Sequence, residues 1–506
     1  MKFKKYASLF GVVFLLLSLI GCGANTEQSV EKGKKPKYVF LFIGDGMSYP
    51  QFQLAADYLG AMADEDYMGA LPSLSYEQRT STLDGPEELN FMNFETTGTA
   101  VTFDSSSFAP DSAAAGTAIA TGKKTYSNTI NMDETHTIPY ESIAEKIHRQ
   151  LGWKVGIVSS VNVNHATPAA FYAHQPFRTN YYDIGVELVN SGFSYFAGGG
   201  FRNIYGEAGN MQNIYEVAAA GGYRIAMTEE EAEAIGAGSD KVILIGEHLA
   251  DSDALEYAVD REEGTWALAD YVKKGIEVLE NDKGFFMMCE GGKIDWACHA
   301  NDGGTVINEV LDLADAVQVA IDFAKEHPKD TLIVVTGDHE TGGLSIGFAG
   351  TDYDTYLTNY EKQKISFQKY EDEYISNYVE NGTDFEAAMK DVEELFGLKM
   401  TGKPDDLLVL TAYEIGLLEE AYGVSIRNLD REYYTQEQDI LYGTYDPFTV
   451  TITRILNNKS GVNFSSDNHT GLPIAIFATG AGADIFDGYY DNTDIFYKLA
   501  ELVGVK

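Results

Sequence analysis

The sequence predicts an α/β protein: a three-layer α/β/α sandwich around a large, mostly parallel sheet, with a cap inserted late in the chain. Three observations carry that expectation. Apolar runs of strand length occur at residues 38–43, 154–160, 284–289, 331–336 and 473–478. Each is continuous rather than alternating, as strands covered on both faces require. Each gives way to glycine or a polar cluster and then to helical patterning. At 506 residues the chain accommodates one large domain with insertions.

The N-terminus reads as an export signal. Lys2, Lys4 and Lys5 precede an apolar run at 7–20, which is too short for a comfortable membrane span. Leu19-Ile20-Gly21-Cys22 resembles a bacterial lipobox. That pattern predicts removal of residues 1–21 and a lipid anchor on Cys22. The protein is then expected outside the cytoplasm, tethered in the bacterial cell envelope by the polar residues 22–36. Residues 37–506 form the folded domain.

The first run leads into Gly44-Asp45-Gly46, a carboxylate held where backbone can approach closely. Residues 108–122 read Phe-Ala-Pro-Asp-Ser-Ala-Ala-Ala-Gly-Thr-Ala-Ile-Ala-Thr-Gly. Pro110 halts the preceding segment, and the small residues after Asp111 predict a closely packed helix. Ser112 falls in its first turn, facing unpaired N–H groups and the positive end of the helix dipole. An oxygen nucleophile that must hold a phosphate suits that place. Taken alone, the string also fits an ordinary N-cap.

The second run leads into Asn164-His165-Ala166-Thr167-Pro168, and Arg178 follows. The guanidinium is a planar fork of donors suited to phosphate. Residues 192–238, with glycines at 198–200, read as an irregular surface excursion. After the third run come Glu290, then Asp295 and His299 four apart on one helical face. They form either half of a zinc site or a surface pair. The fourth run leads directly to Asp338-His339, two adjacent candidate ligands on a loop. From about 350 to 461 the texture changes to Tyr, Glu and Asp, with helical periodicity at 385–396 and 406–422. This segment reads as the inserted cap. His469 stands just before the fifth run.

A net charge of −41 excludes nucleic-acid binding by charge. It also means that an anionic substrate needs local cations, from metals or arginine. Cys289 and Cys298 are expected as free, buried thiols. His136, His148, His174, His248 and His327 lack ligand-type neighbours and are expected to be structural.

Together these motifs resemble the alkaline phosphatase family, from about Lys37 to the C-terminus. They are Phe-Ile-Gly-Asp45-Gly-Met, Pro-Asp-Ser112-Ala-Ala-Ala-Gly-Thr-Ala, His165-Ala-Thr167-Pro-Ala-Ala, Glu290-Gly-Gly-Lys-Ile-Asp295 with His299, Val-Thr-Gly-Asp338-His339-Glu and His469-Thr-Gly. The resemblance implies hydrolysis of phosphate monoesters through a phosphoserine on Ser112. It implies one Zn2+ on Asp295, His299 and His469, and a second on Asp45, Asp338 and His339. It further implies a Mg2+ on Asp45, Thr167 and Glu290, and a clamp on the phosphate oxygens by Arg178. A homodimer is implied as well. His165 and Trp296 stand near the third metal, where some relatives carry Asp and Lys. Two other readings remain open on the residues: a phosphodiesterase of the same superfamily, and a surface lipoprotein that binds without catalysing.

Overall fold

A computed structural model of the chain describes residues 35–64, 83–403, 406–427 and 433–506. The signal at 1–21 and Cys22 lie outside the described residues. Ten strands form one sheet: β1 (Tyr38–Gly44), β2 (Thr96–Val101), β3 (Lys154–Asn162), β4 (Tyr195–Gly199), β5 (Arg224–Ala226), β6 (Val242–Ile245), β7 (Phe285–Gly291), β8 (Thr331–Gly337), β9 (Ile474–Gly480) and β10 (Gly488–Asp491). Their spatial order is β10-β2-β9-β8-β1-β7-β3-β4-β6-β5. Only β9 runs against its neighbours, pairing antiparallel with both β8 and β2.

Successive residues of one strand enter two separate cores, which is what a sandwich demands. Tyr38, Phe40 and Phe42 of β1 pack with the helices Tyr49–Ala63, Leu268–Leu279 and Gly303–Glu326. Val39, Leu41 and Ile43 pack on the other face, with Ile143–Leu151, Tyr181–Ser191 and Thr493–Val503. Every side chain of β1 is buried, so truncating Phe42 to alanine would cost about 3–5 kcal/mol.

All five apolar runs are strands. The expectation of a surface excursion at 192–238 is overturned. β4 lies in that stretch, buried along its whole length between β3 and β6. Its glycines are there for close approach: Gly198 holds φ +135°, and a Cβ on it would come within 1.8 Å of the Ser159 carbonyl oxygen. The periodicity at 406–422 resolves as a helix over Ala412–Ser425, started by the Thr411 cap.

Two short strands, Leu344–Ile346 and Val462–Phe464, pair antiparallel. Between them the regular elements of the described residues are helices, among them Phe385–Phe396 and a π-helical turn over Glu371–Ile375. Elsewhere the backbone is strained at one place in particular. Asp251, Ser252 and Asp253 hold φ of 45°, 65° and 66° in succession. A left-handed non-glycine residue costs on the order of 1–2 kcal/mol, so surrounding bonds must fix this tip. Asn162 Nδ2 donates to the Ser252 carbonyl at 2.9 Å, and Gly200 N donates to the Asp253 carbonyl at 2.7 Å.

Candidate metal and phosphate site

The strand order explains why residues so distant in sequence meet. Asp45 follows β1, Glu290 lies near the end of β7, and Asp338 follows β8. All are at the carboxyl edge of the parallel strands, where α/β sheets place their chemistry. His469 precedes its strand instead of following it. Because β9 is reversed, its amino end lies beside the carboxyl ends of the others, so His469 reaches the same edge.

Ser112 opens the helix α1 (Ser112–Thr121), every residue of which is buried. Asp111 is its N-cap and accepts from Ala114 N at 3.1 Å. The same carboxylate takes Arg178 Nη1 at 2.9 Å. One residue therefore starts the helix and fixes the arginine. The run of small residues lets α1 lie against Ala166–Ala169: a Cβ on Gly116 would meet Ala170 Cβ at 3.0 Å. That contact sets Thr167 beside the site.

The ligand-type residues form two clusters. In the first, His339 Nε2 lies 3.2 Å from Asp45 Oδ1, 3.4 Å from Asp338 Oδ2 and 3.3 Å from Ser112 Oγ. Thr167 Oγ1 donates to Asp45 Oδ2 at 3.2 Å, and Glu290 takes the Ser159 hydroxyl. In the second, His299 Nε2 is 3.3 Å from Asp295 Oδ2 and 3.1 Å from His469 Nε2, while His469 Nε2 is 3.6 Å from Asp295 Oδ1. Asp295 and His299 come from helix α2 (Lys293–His299). His299 Nδ1 and His469 Nδ1 each lie 2.6 Å from a backbone carbonyl, of Asp467 and Pro110 respectively. With the proton on Nδ1, both Nε2 atoms present lone pairs. Asp295 favours a second proton on His299, and a metal ion would replace that proton and take both lone pairs, which are 3.1 Å apart.

The electrostatics agree. Burial pushes Glu290 up to about 7 and Asp338 up to about 8, and burial with the neighbouring Asp338 pushes Asp45 well above the carboxylate range. Burial works upward on Asp295 too, but His299, His469 and His339 outweigh it and hold it well below. Burial works downward on His299, yet Asp295 holds it up at about 9. Burial and then His469 keep His339 neutral. Asp45 Oδ1, Glu290 Oε1 and Asp338 Oδ2 are buried and lack hydrogen-bond partners. Carboxylate oxygens so placed call for cations.

His165 and Trp296 meet at 5.8 Å, edge to face, and Arg178 Nη2 lies 3.4 Å from His165 Nε2. The structure thus brings together all twelve residues named from the sequence. It adds some the sequence did not offer. Asp111 anchors Arg178, Thr341 Oγ1 donates to Asp295 Oδ1 at 2.5 Å, and Ser159 holds Glu290. Thr341 lies in the Asp338 motif and could have been suspected; Ser159 sits in an apolar strand and gives no sequence signal. Cys289 and Cys298 are free and buried, as expected.

A buried serine beside clustered ligand-type side chains, at the carboxyl edge of a mostly parallel sheet, defines a metal-binding hydrolase. The chain belongs to the alkaline phosphatase family: a family model described as alkaline phosphatase matches residues 36–505. It is 29% identical to alkaline phosphatase 4 of Bacillus subtilis over 96% of this chain and 95% of that one. The cold-active alkaline phosphatase of a Shewanella species superposes with a TM-score of 0.71 at 26% identity, over 92% of this chain and 99% of that one. An alkaline phosphatase from the Antarctic bacterium TAB5, solved as a variant with Mg bound in the M3 site, shares the fold at a TM-score of 0.59 and 23% identity, over 94% and 99% of the two chains. The protein is a phosphomonoesterase of α/β fold.

Proposed function

We propose that this protein hydrolyses phosphate monoesters through a covalent phosphoserine on Ser112. The observation that carries the reading is the 3.3 Å approach of Ser112 Oγ to His339 Nε2, inside the cluster with Asp45 and Asp338. The donor sets fit the metals the family implies. Imidazole with carboxylate suits Zn2+ at Asp295, His299 and His469, and at Asp45, Asp338 and His339. Hydroxyl with carboxylates suits Mg2+ at Asp45, Thr167 and Glu290. When bound, these ions supply Lewis-acid polarisation of the ester and stabilise an ionised serine oxygen.

The chain's own groups do the rest. Asp111 holds Arg178 in place, so its remaining N–H donors can bracket the phosphate oxygens. The N–H groups of Ser112 and Ala113 stand outside the ladder of α1 and add donors at the same point. Ser112 Oγ bonds to phosphorus, and the ester P–O bond breaks with release of the alcohol. Water then displaces Ser112 from phosphorus, giving inorganic phosphate.

The test is turnover of p-nitrophenyl phosphate against a bis-ester of the same phenol. The monoester should be cleaved much faster at alkaline pH, a chelator should stop it, and Zn2+ with Mg2+ should restore it. Equal or faster bis-ester cleavage would sink the monoesterase reading. From the sequence we further propose export and a lipid anchor on Cys22; Cys22→Ser should release the protein from the membrane fraction. Homodimerisation, proposed from family resemblance, is tested by light scattering, where a monomer mass would refute it.

A further inference from the structure

A cavity of about 470 Å³ has His165 and Trp296 in its wall, and His165 Nε2 lies 3.4 Å from Arg178 Nη2, which joins it to the site described above. Its other walls come from three separate elements. Arg202 follows β4, Asp251 belongs to the strained tip, and Phe367 and Tyr445 come from the helical insertion. This is the size of a site for a small organic group.

Two features mark it as more than a cleft. The Arg202 guanidinium stacks 4.8 Å from the centre of the Tyr181 ring, and among the described residues it has neither an ion pair nor a side-chain hydrogen bond. Asp251 feels its charge across the cavity without an ion pair forming, so a guanidinium oriented by stacking keeps its donors open to an anionic ligand group. Asp251, in the same cavity, accepts one hydrogen bond, from the Tyr257 hydroxyl at 3.0 Å. It is held there by a left-handed backbone pinned through Asn162 and Gly200. The tip is the loop of a short hairpin in which Leu249–Ala250 pairs with Ala254–Leu255, and the buried Lys293 faces the Asp251 carboxylate from the other side. Three aromatic rings, of Trp296, Phe367 and Tyr445, line the same cavity. Phe367 and Tyr445 pack edge to face at 5.5 Å, and the Glu371 carboxylate ties the two insertion segments together by accepting from Asp446 N at 3.2 Å.

We propose that this cavity is a leaving-group subsite selective for phosphate esters of zwitterionic aromatic alcohols, of which O-phosphotyrosine as the free amino acid is the type. The ring lies among Trp296, Phe367 and Tyr445, the carboxylate faces Arg202 and the ammonium faces Asp251. The reaction is unchanged; only the alcohol's recognition is added. The proposal rests on the phosphomonoesterase reading, so the test separates the two.

O-phospho-L-tyrosine and phenyl phosphate release phenols of similar acidity, so their kcat/KM ratio reads the subsite rather than the chemistry. The ratio should be about tenfold or more in the wild type, carried mainly by KM. Arg202→Met should lower it about tenfold. Asp251→Asn, which tolerates the left-handed backbone, should lower it about threefold. A wild-type ratio near one overturns the proposal. So does an equal loss on both substrates in Arg202→Met, which would place that arginine on the transferred phosphate. A higher kcat/KM for adenosine monophosphate than for O-phospho-L-tyrosine would assign the cavity to nucleosides instead. Failure to hydrolyse phenyl phosphate at all would sink the underlying phosphomonoesterase reading.

Discussion

The two ligand clusters lie side by side and differ in almost every physical respect. Around His339 the side chains of Asp45, Asp338 and His339 are at most 1% exposed. Around His299 the exposures are 23% for His299, 15% for His469 and 7% for Asp295. The closed cluster is rich in carboxylates and poor in cations, so burial drives its acids toward neutrality. The open cluster is internally balanced, with Asp295 held ionised by the imidazoles around it. The closed cluster is set by the ends of β1 and β8. The open one depends on α2, on the loop before β9 and on two backbone carbonyls. The same ligand chemistry is thus built once as a buried cluster of acids pushed toward their neutral form and once as a paired, solvent-facing grip.

The largest expected effect comes where the nucleophile touches the closed cluster. Ser112→Ala should lower kcat by about 10³-fold or more and abolish trapping of labelled phosphate on the protein. Label retained on the variant would place the nucleophile elsewhere. Next, the clusters should respond to substitution with opposite signs. With metals chelated, Asp338→Asn should raise stability at neutral pH by about 1–3 kcal/mol, because the buried acid, held up at about 8, must take on a proton that the amide does not need. His299→Asn should lower stability, because it strands Asp295. Thermal unfolding in chelator decides this, and shifts of the same sign would erase the contrast.

Metal removal should show two phases, the first ion leaving from the open cluster. Time-resolved metal analysis of His469→Asn against the wild type checks it; loss of the slow phase in that variant would reverse the assignment. The smallest effect is a control outside both clusters. His174 lies 3.4 Å from Glu145 and 3.2 Å from Glu187. Burial works downward on it, but the two carboxylates hold it up at about 10. Its raised pKa gives stability that is complete below about 6.5 and fades as pH rises through about 10. His174→Gln should therefore cost at most about 1 kcal/mol at pH 6 and nothing above pH 10. A cost that grows with pH would contradict the charge pairing.

Much of this was legible in the sequence, because continuous apolar runs ending in glycine and ligand-type residues mark the sheet and its active edge together. The five long strands were legible for that reason. The short strands β5, β6 and β10 carry too few residues to show a pattern, and β2, Thr-Thr-Gly-Thr-Ala-Val, is too rich in threonine and glycine to read as an apolar run. β4 was misread because its glycines, needed for contact with β3, look like loop signals. His469 was legible as a ligand, but its place before a strand made no sense until β9 proved to be reversed. The cavity of Arg202 and Asp251 was not legible at all. His165 and Trp296 belong to motifs, but Arg202, Asp251, Phe367 and Tyr445 come from three elements far apart in sequence and belong to none.

The reversed β9 also governs the order in which the molecule can be completed. β2 is made early in synthesis, yet it joins the sheet only through β9, which lies at residues 474–480. β10 joins through β2 in turn. Contacts of such sequence separation close late and slowly. The edge of the sheet beyond β8, and the imidazole of His469 with it, therefore waits for residues 469–480. A chain made only through β8 can bring β1, β3, β7 and β8 together around Asp45 and Asp338 while the neighbouring grip is still absent, so the closed cluster is completed before the open one.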